Sequence, residues 1–129
     1  MQLEKVNSVA EFEQAISSSA PAVALFKADW CKDCRFIEPF MPEVAAHYAD
    51  RLRIFVVDRD ALPELAEKYN ILGIPSFVAF LAGRETISFI SKLRKTREEI
   101  EGFLERVLQV SGALAESGRS GGGEKEGNG

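Results

Sequence analysis

The chain has 129 residues, of which 46% are hydrophobic, and this is enough to bury one compact core. Its formal net charge is −4, and its acidic and basic residues are interspersed, which argues against nucleic acid and membranes as partners. No segment approaches the roughly 20 apolar residues of a membrane span, and the first residues do not resemble a signal peptide, so we expect a cytoplasmic protein.

Strands and helices are predicted to alternate through most of the chain. The near-continuous apolar runs at 22–28 and 52–57 are typical of strands that are covered on both faces. Helices are predicted where apolar residues recur every three or four positions after a capping residue. Ser8 with Glu11, and Thr96 with Glu99, have the spacing of capping boxes. In chain order the predicted elements are a strand at 3–6, a helix at 9–16, a strand at 22–28, a helix at 31–48, a strand at 52–57, a helix at 62–69, a hairpin with strands at 76–81 and 85–90, and a helix at 97–108.

This order predicts an α/β fold with a central mixed β-sheet of four to five strands flanked by four helices. Pro39 lies inside the second predicted helix and is expected to kink it, because proline lacks the backbone donor and crowds the preceding turn. Beyond residue 113 the sequence turns to glycine, serine and charged residues with few apolar anchors. We therefore predict one domain over residues 1–113 and a disordered tail over residues 114–129.

Cys31 and Cys34 are the only two cysteines of the chain, and they follow directly on the strand predicted at 22–28. A strand that ends at such a pair places the first sulfur at the start of a helix, where unpaired backbone N–H groups and the helix dipole favour a thiolate. A thiolate with a second cysteine one turn away is able to attack a disulfide and then be released from it. The pair therefore predicts dithiol–disulfide exchange.

Four features of the chain stand together: Ala28-Asp29-Trp30-Cys31 with Cys34, Pro39 in the following helix, Gly73-Ile74-Pro75-Ser76 before the hairpin, and the amphipathic helix near the end. In this element order they resemble the thioredoxin family. The resemblance implies the thioredoxin fold and a thiol–disulfide oxidoreductase. It also implies a cis peptide bond before Pro75 and pairing of the Ile74 backbone with an extended substrate segment.

The resemblance implies that Cys31 is the attacking thiolate and Cys34 the resolving thiol. From their places on the helix, we expect Cys31 to be partly exposed and Cys34 to be more buried. Trp30 would serve as a platform for the substrate and as a shield for the disulfide. Between the cysteines, the charge of Lys32 favours a nearby thiolate, whereas Asp33 opposes it and partly cancels Lys32. The same dipeptide is also explained as a favourable helix start with little redox consequence.

Two apolar positions depart from the pattern of the family. Leu25 and Val56 stand where reductive thioredoxins usually carry a buried aspartate and a buried lysine, so removal of the proton from Cys34 needs another group or solvent. Glu38, one helical turn after Cys34, is one such group, although a solvated surface carboxylate is the simpler interpretation. We therefore expect a stable fold that resolves mixed disulfides slowly.

Two further departures concern the substrate groove. Lys27 replaces an aromatic residue that is common at its strand position, and Ser91 stands where the family often has a glycine. A side chain at Ser91 would narrow the groove and exclude some partners. The resemblance implies disulfide-containing protein substrates and electrons from thioredoxin reductase or another thiol donor. We expect a monomer without cofactor or metal.

Two alternatives remain open at this point. One is a thioredoxin-fold binding or adaptor module with weakly redox-active cysteines, which Leu25, Val56 and Ser91 favour. The other is a metal or iron–sulfur site, for which a symmetric dimer would supply four thiolates. Asp58 and Asp60 after the third strand are predicted to start a turn and cap the next helix rather than to bind a metal.

Overall fold

The computed structural model describes the backbone of residues 3–120 and the side chains up to residue 116. Strands and helices alternate along much of this part of the chain, apart from two successive helices and a hairpin of two strands. In chain order the elements are β1 (Glu4–Val6), α1 (Val9–Ile16), β2 (Ala22–Lys27), α2 (Lys32–Ile37), α3 (Met41–Tyr48), β3 (Arg53–Asp58), α4 (Pro63–Lys68), β4 (Ser76–Leu81), β5 (Arg84–Phe89) and α5 (Arg97–Ser120).

The strands form one mixed five-stranded sheet in the order β1-β3-β2-β4-β5. Strand β3 pairs in parallel with both β1 and β2, whereas β4 is antiparallel to β2 and to β5. In the central register, Leu25 of β2 lies between Val56 of β3 and Phe77 of β4. The predicted α/β fold with a mixed sheet is confirmed, with five strands.

The central strand β2 has an apolar cluster on each side because successive side chains of a strand point to opposite faces. Ala22, Ala24 and Phe26 belong to the cluster that includes residues of α1 and α4. Val23 and Leu25 belong to the cluster that includes residues of α2, α3 and α5. Burial on both faces explains why the sequence of β2 is an unbroken apolar run rather than an alternating one.

The second predicted helix is two helices in the structure. Helix α2 ends at Ile37, and α3 begins at Met41. Pro39 lies between them, and because it lacks an N–H and its ring crowds the preceding turn, the ladder of helical hydrogen bonds stops there. Pro42 is tolerated in the first turn of α3, where an N–H needs no helical partner. The predicted kink is therefore a break, and five helices flank the sheet instead of the four predicted.

The helix starts that were predicted from capping residues are present at α1 and α5. Before α5, the Glu99 N–H donates to Thr96 Oγ1 at 3.1 Å, and the Thr96 N–H donates to the Glu99 carboxylate at 2.9 Å. This reciprocal pair is a complete capping box. At α1, the Glu11 N–H donates to Ser8 Oγ at 3.1 Å.

Helix α5 continues to Ser120, which lies beyond the predicted domain boundary at residue 113. Residues 114–120 are therefore helical, where a disordered tail was predicted, because a helix that has already formed extends readily through residues such as Leu114 and Ala115. The remaining stretch of the predicted tail, 121–129, lies outside the described residues. Between residues 3 and 120, no helix has both the length and the apolar character that crossing a membrane requires.

Candidate active site

Cys31 lies at the junction between β2 and α2. It is the N-cap residue of α2, with extended backbone angles (φ −83°, ψ 117°), and the Cys34 N–H donates to its Sγ at 3.1 Å. A sulfur in this position accepts from one of the N–H groups at the helix start that have no helical partner. The structure therefore places the first sulfur at the start of the helix, as the spacing predicts.

Both active-site cysteines are buried, with 5% of Cys31 and 0% of Cys34 exposed. The prediction that Cys31 is partly exposed is wrong, because Ile74 from a distant loop packs against the two cysteines. The Cys31 thiol donates to the Ile74 carbonyl oxygen at 3.5 Å. Cys34 is the more buried of the two, as predicted. A groove that both Cys31 and Ile74 line leads from this position to the surface.

The loop between α4 and β4 forms one wall of this groove. The Ile74–Pro75 peptide bond is cis, as the resemblance implies, and Pro75 is buried. Gly73 lies so close to the loop after β5 that a Cβ atom at this position would overlap the Ser91 carbonyl oxygen. Glycine is therefore the only residue that fits at position 73 without moving one of the two loops. The Ser91 hydroxyl accepts a hydrogen bond from the Leu93 N–H at 3.3 Å, so it is engaged within its own loop.

Trp30 lies at the edge of the groove, and 61% of it is exposed. Its Nε1–H donates to Asp60 Oδ2 at 2.7 Å, which holds the indole in place while much of the ring stays accessible. The predicted role of Asp60 as a helix cap is wrong, since α4 begins without a side-chain cap. Asp58 starts the turn, as predicted, by accepting from the N–H groups of Asp60 and Ala61 at 2.8 and 3.2 Å. The sequence analysis missed the link between Trp30 and Asp60, because no local pattern joins positions so far apart.

The two residues between the cysteines differ in their contacts. Lys32 is exposed and makes no ion pair with the side chains described up to residue 116. The Asp33 carboxylate accepts from Arg94 Nε at 2.9 Å, and the Arg94 guanidinium lies 4.5 Å from the centroid of the Phe36 ring. Asp33 is therefore paired with Arg94, whereas the sequence predicted partial cancellation of Lys32 or a favourable helix start. No pattern in the sequence indicated Arg94 as a residue of the site.

Cys34, the expected resolving residue, has a thiol that ionises only at high pH. Burial, and then the hydrogen bond with the Cys31 side chain, raises the pKa of Cys34 to about 12. Leu25 and Val56 are 1% and 6% exposed, so the two positions where the resemblance implies a buried aspartate and a buried lysine are apolar and buried here. Cys34 is consequently protonated at neutral pH, and removal of its proton is a costly part of resolution.

Lys27 and Glu38 form an ion pair near the cysteines. Lys27 Nζ donates to Glu38 Oε2 at 3.0 Å, so this carboxylate is held by lysine and is not bonded to the Cys34 thiol. The positive charge of Lys27 lowers the pKa of Cys34, whereas burial, the largest cause, raises it. Both residues line a solvent-open cavity of about 330 Å³ together with Leu25 and Val56. Lys27 is therefore a nearby cation that assists ionisation of Cys34.

We expect Lys27→Met to slow resolution of a mixed disulfide by about two- to fivefold, because loss of a partly exposed charge makes the Cys34 thiolate rarer. Stopped-flow reaction with dithiobis(nitrobenzoate) measures this, since attack by Cys31 releases the first aromatic thiolate and attack by Cys34 releases the second. Glu38→Gln is the matched control. We expect the release of the second aromatic thiolate, which is the second phase, to be unchanged or faster in this variant because Lys27 is then no longer neutralised. A slower second phase in Glu38→Gln would instead identify Glu38 as the proton acceptor.

A buried lysine supports the second wall of the groove. Lys95 is 1% exposed, and its Nζ donates to the carbonyl oxygens of Ser91 and Leu93, each at 3.1 Å. The ammonium also lies 5.2 Å from the centroid of the Phe89 ring. Burial lowers the pKa of Lys95, and the two hydrogen bonds and the ring offset part of the cost of burying its charge. Lys95 therefore holds the loop after β5 in one shape, a role that no pattern in the sequence indicated.

Two thiols one helical turn apart, the first at a helix start beside an open groove, are arranged to exchange with a disulfide. Their position on this mixed sheet with its flanking helices is that of a thiol–disulfide oxidoreductase.

Comparison with known proteins agrees with this class. The family model described as Thioredoxin matches residues 4–106. The thioredoxin of Acidithiobacillus ferridurans is 36% identical over 93 residues, which cover 72% of this chain and 84% of that protein. The thioredoxin of Alicyclobacillus acidocaldarius subsp. acidocaldarius is 33% identical over 100 residues, covering 78% and 93%. The chain belongs to the thioredoxin family and is a thiol–disulfide oxidoreductase.

Solved structures share the fold. Thioredoxin from Trypanosoma brucei brucei aligns with a TM-score of 0.70 at 27% identity, covering 84% of this chain and 88% of that one. A mutant thioredoxin from Halobacterium salinarum NRC-1 aligns with a TM-score of 0.72 at 22% identity, covering 83% and 91%. The thioredoxin fold that the resemblance implied is therefore confirmed.

Proposed function

We propose that the protein reduces disulfide bonds of protein substrates, with Cys31 as the attacking residue and Cys34 as the resolving one. The observation that carries this proposal is the position of Cys31 Sγ, which caps α2 and faces the Ile74 carbonyl group at the base of an open groove. An extended segment that pairs with the backbone at Ile74 would bring its disulfide to this sulfur. Trp30, Lys32 and Asp33 complete the proposed surface for the substrate, and Pro75, which is buried, follows Ile74 in the same loop.

The proposed cycle transfers two electrons from the protein to the substrate. The Cys31 thiolate attacks one substrate sulfur, forms a Cys31–substrate disulfide, and displaces the other substrate sulfur as a thiolate. Cys34 then loses its proton to solvent, and its thiolate attacks Cys31 Sγ. The remaining substrate sulfur leaves as a thiolate that takes up a proton, and the Cys31–Cys34 disulfide closes. A thiol donor must return the two electrons before the next cycle.

We further propose that thioredoxin reductase or another thiol donor supplies these electrons, and that the protein acts as a monomer in the cytoplasm. Membership of the thioredoxin family supports a donor of this kind. A cysteine pair that starts each cycle as a dithiol also suits a reducing compartment.

The proposal is tested by turnover of the full chain with NADPH, a thioredoxin reductase and a disulfide-bonded protein. We expect oxidation of NADPH that requires all three components, and we expect dithiothreitol to replace the reductase and NADPH. If dithiothreitol supports reduction of the substrate and the reductase does not, the proposed donor is wrong while the exchange function stands. If neither donor supports reduction, the proposed function is overturned.

A further inference from the structure

Most of the charged residues that line the groove beside Cys31 are cations. Its charged residues are Lys32, Arg59, Lys92 and Arg94, with Asp33 as the acidic member. Asp33 is already paired with Arg94 at 2.9 Å. Lys32 and Lys92 are exposed and make no ion pair within the described part of the chain. Because the whole chain has a net charge of −4, this positive surface lies on an otherwise acidic protein.

The same groove offers apolar surface and backbone groups beside its charges. Trp30 and Leu72 line it and are 61% and 74% exposed, so two large apolar side chains are accessible to a binding segment. Arg59 forms an ion pair with Asp60 at 3.6 Å, and 42% and 53% of the two side chains are exposed. The groove has a volume of about 510 Å³. It therefore fits a short peptide segment better than a single small anion.

The loop after β5, which carries Lys92 and Arg94 of the groove, is fixed by contacts on its buried side. Lys95 donates to the carbonyl groups of Ser91 and Leu93, on either side of Lys92. The absence of a side chain at Gly73 lets the opposite loop contact the Ser91 backbone directly. A charged surface that is already ordered before binding loses little conformational entropy when a partner docks.

We propose that this groove selects extended protein segments that carry aspartate or glutamate next to the disulfide to be reduced. The inference rests on the proposed function, since the segment must present its disulfide to Cys31. Carboxylates beside the substrate cysteine would meet Lys32 and Lys92, while an apolar neighbour would contact Trp30 or Leu72. Opposite charges across an interface raise the rate of association and disfavour like-charged partners.

The test compares disulfide-bonded peptides of one sequence whose residues beside the cysteine are aspartate, asparagine or lysine. At low ionic strength we expect the aspartate peptide to be reduced about tenfold faster, in kcat/KM, than the lysine peptide, with the asparagine peptide between them. The ratio should fall towards one in 1 M salt, where the screening length is about 3 Å. Dithiothreitol recycles the protein, so the result does not depend on the physiological donor.

Lys92→Glu is expected to remove most of the preference for the aspartate peptide. Arg84→Glu is the matched control, because it makes the same change of charge at the β4–β5 hairpin, at the opposite end of β4 from the active site. We expect Arg84→Glu to keep the preference and the rate of the wild-type protein. Comparison of these two variants separates an effect of the groove from an effect of total charge.

Each outcome of this test bears on a different claim. Equal rates for the three peptides overturn the acidic preference and leave the reductase function intact, whereas failure to reduce any peptide overturns the function itself. Equal loss of preference in Lys92→Glu and Arg84→Glu contradicts recognition by the groove.

Glutathione disulfide is a further probe. If it reacts faster than the aspartate peptide, the groove recognises a small anion, and the assignment to a protein segment is wrong.

Discussion

Replacement of Cys31 by serine is expected to lower disulfide reduction by at least about a thousandfold while the fold is retained. The hydroxyl group that replaces the thiol is not ionised at neutral pH, so the attack that opens the cycle has no nucleophile. The structure indicates that this variant keeps the start of α2 intact. Cys31 is the N-cap of α2, and serine is among the residues preferred at that position. The serine oxygen is expected to accept the Cys34 N–H in place of the sulfur.

The measurement pairs turnover, with dithiothreitol as donor, and thermal unfolding of the same sample. We expect loss of turnover in Cys31→Ser with an unfolding midpoint close to that of the wild-type protein. Cys31→Ala is the control, because it removes both the nucleophile and the cap and should cost about 0.5–2 kcal/mol of stability. Substantial turnover by Cys31→Ser would show that another group attacks the substrate and would overturn the assignment.

Replacement of Cys34 by serine is expected to trap the protein on its substrate. The first attack needs only Cys31, so one equivalent of the mixed disulfide should form and persist. Multiple turnover should then fall by at least about a hundredfold, because no thiol remains one helical turn away to release the product. Mass spectrometry after a single mixing with a disulfide-bonded peptide measures the trapped species. Rapid release of the peptide from Cys34→Ser would contradict the role of Cys34.

The pH dependence of the wild-type protein provides a second measurement of the resolution of the mixed disulfide by Cys34. Burial is the largest cause of the raised pKa of Cys34, and it persists when Cys31 is bound to the substrate, whereas the contributions of the Cys31 side chain are then lost. The thiolate fraction of Cys34 therefore rises with pH from neutrality upward, by about tenfold per unit while the pH stays below the pKa. The rate of resolution should follow this rise. A rate that is independent of pH between 7 and 9 would mean that a specific proton acceptor serves Cys34.

Much of the fold follows from patterns that span only a few residues. The apolar runs of β2 and β3 predicted strands covered on both faces, and the pairing of Thr96 with Glu99 predicted the start of α5. The placement of Cys31 at the start of α2 follows in the same way from the two-residue spacing of the cysteines. Pro39 predicts a kink in the second helix, whereas the structure has a break between α2 and α3 at this proline.

Local sequence was sufficient for the class of fold, the exchanging thiols and their position at a helix start, because these depend on neighbours within one helical turn or one strand. Tertiary packing determines instead which parts of the site are buried and how its charges are paired. It buries Cys31 beneath Ile74 and places the Lys95 ammonium behind the groove. It also pairs Asp33 with Arg94 and joins Trp30 to Asp60. Most of these contacts join residues that lie 30 or more positions apart, and no local periodicity records which distant side chains a fold brings together.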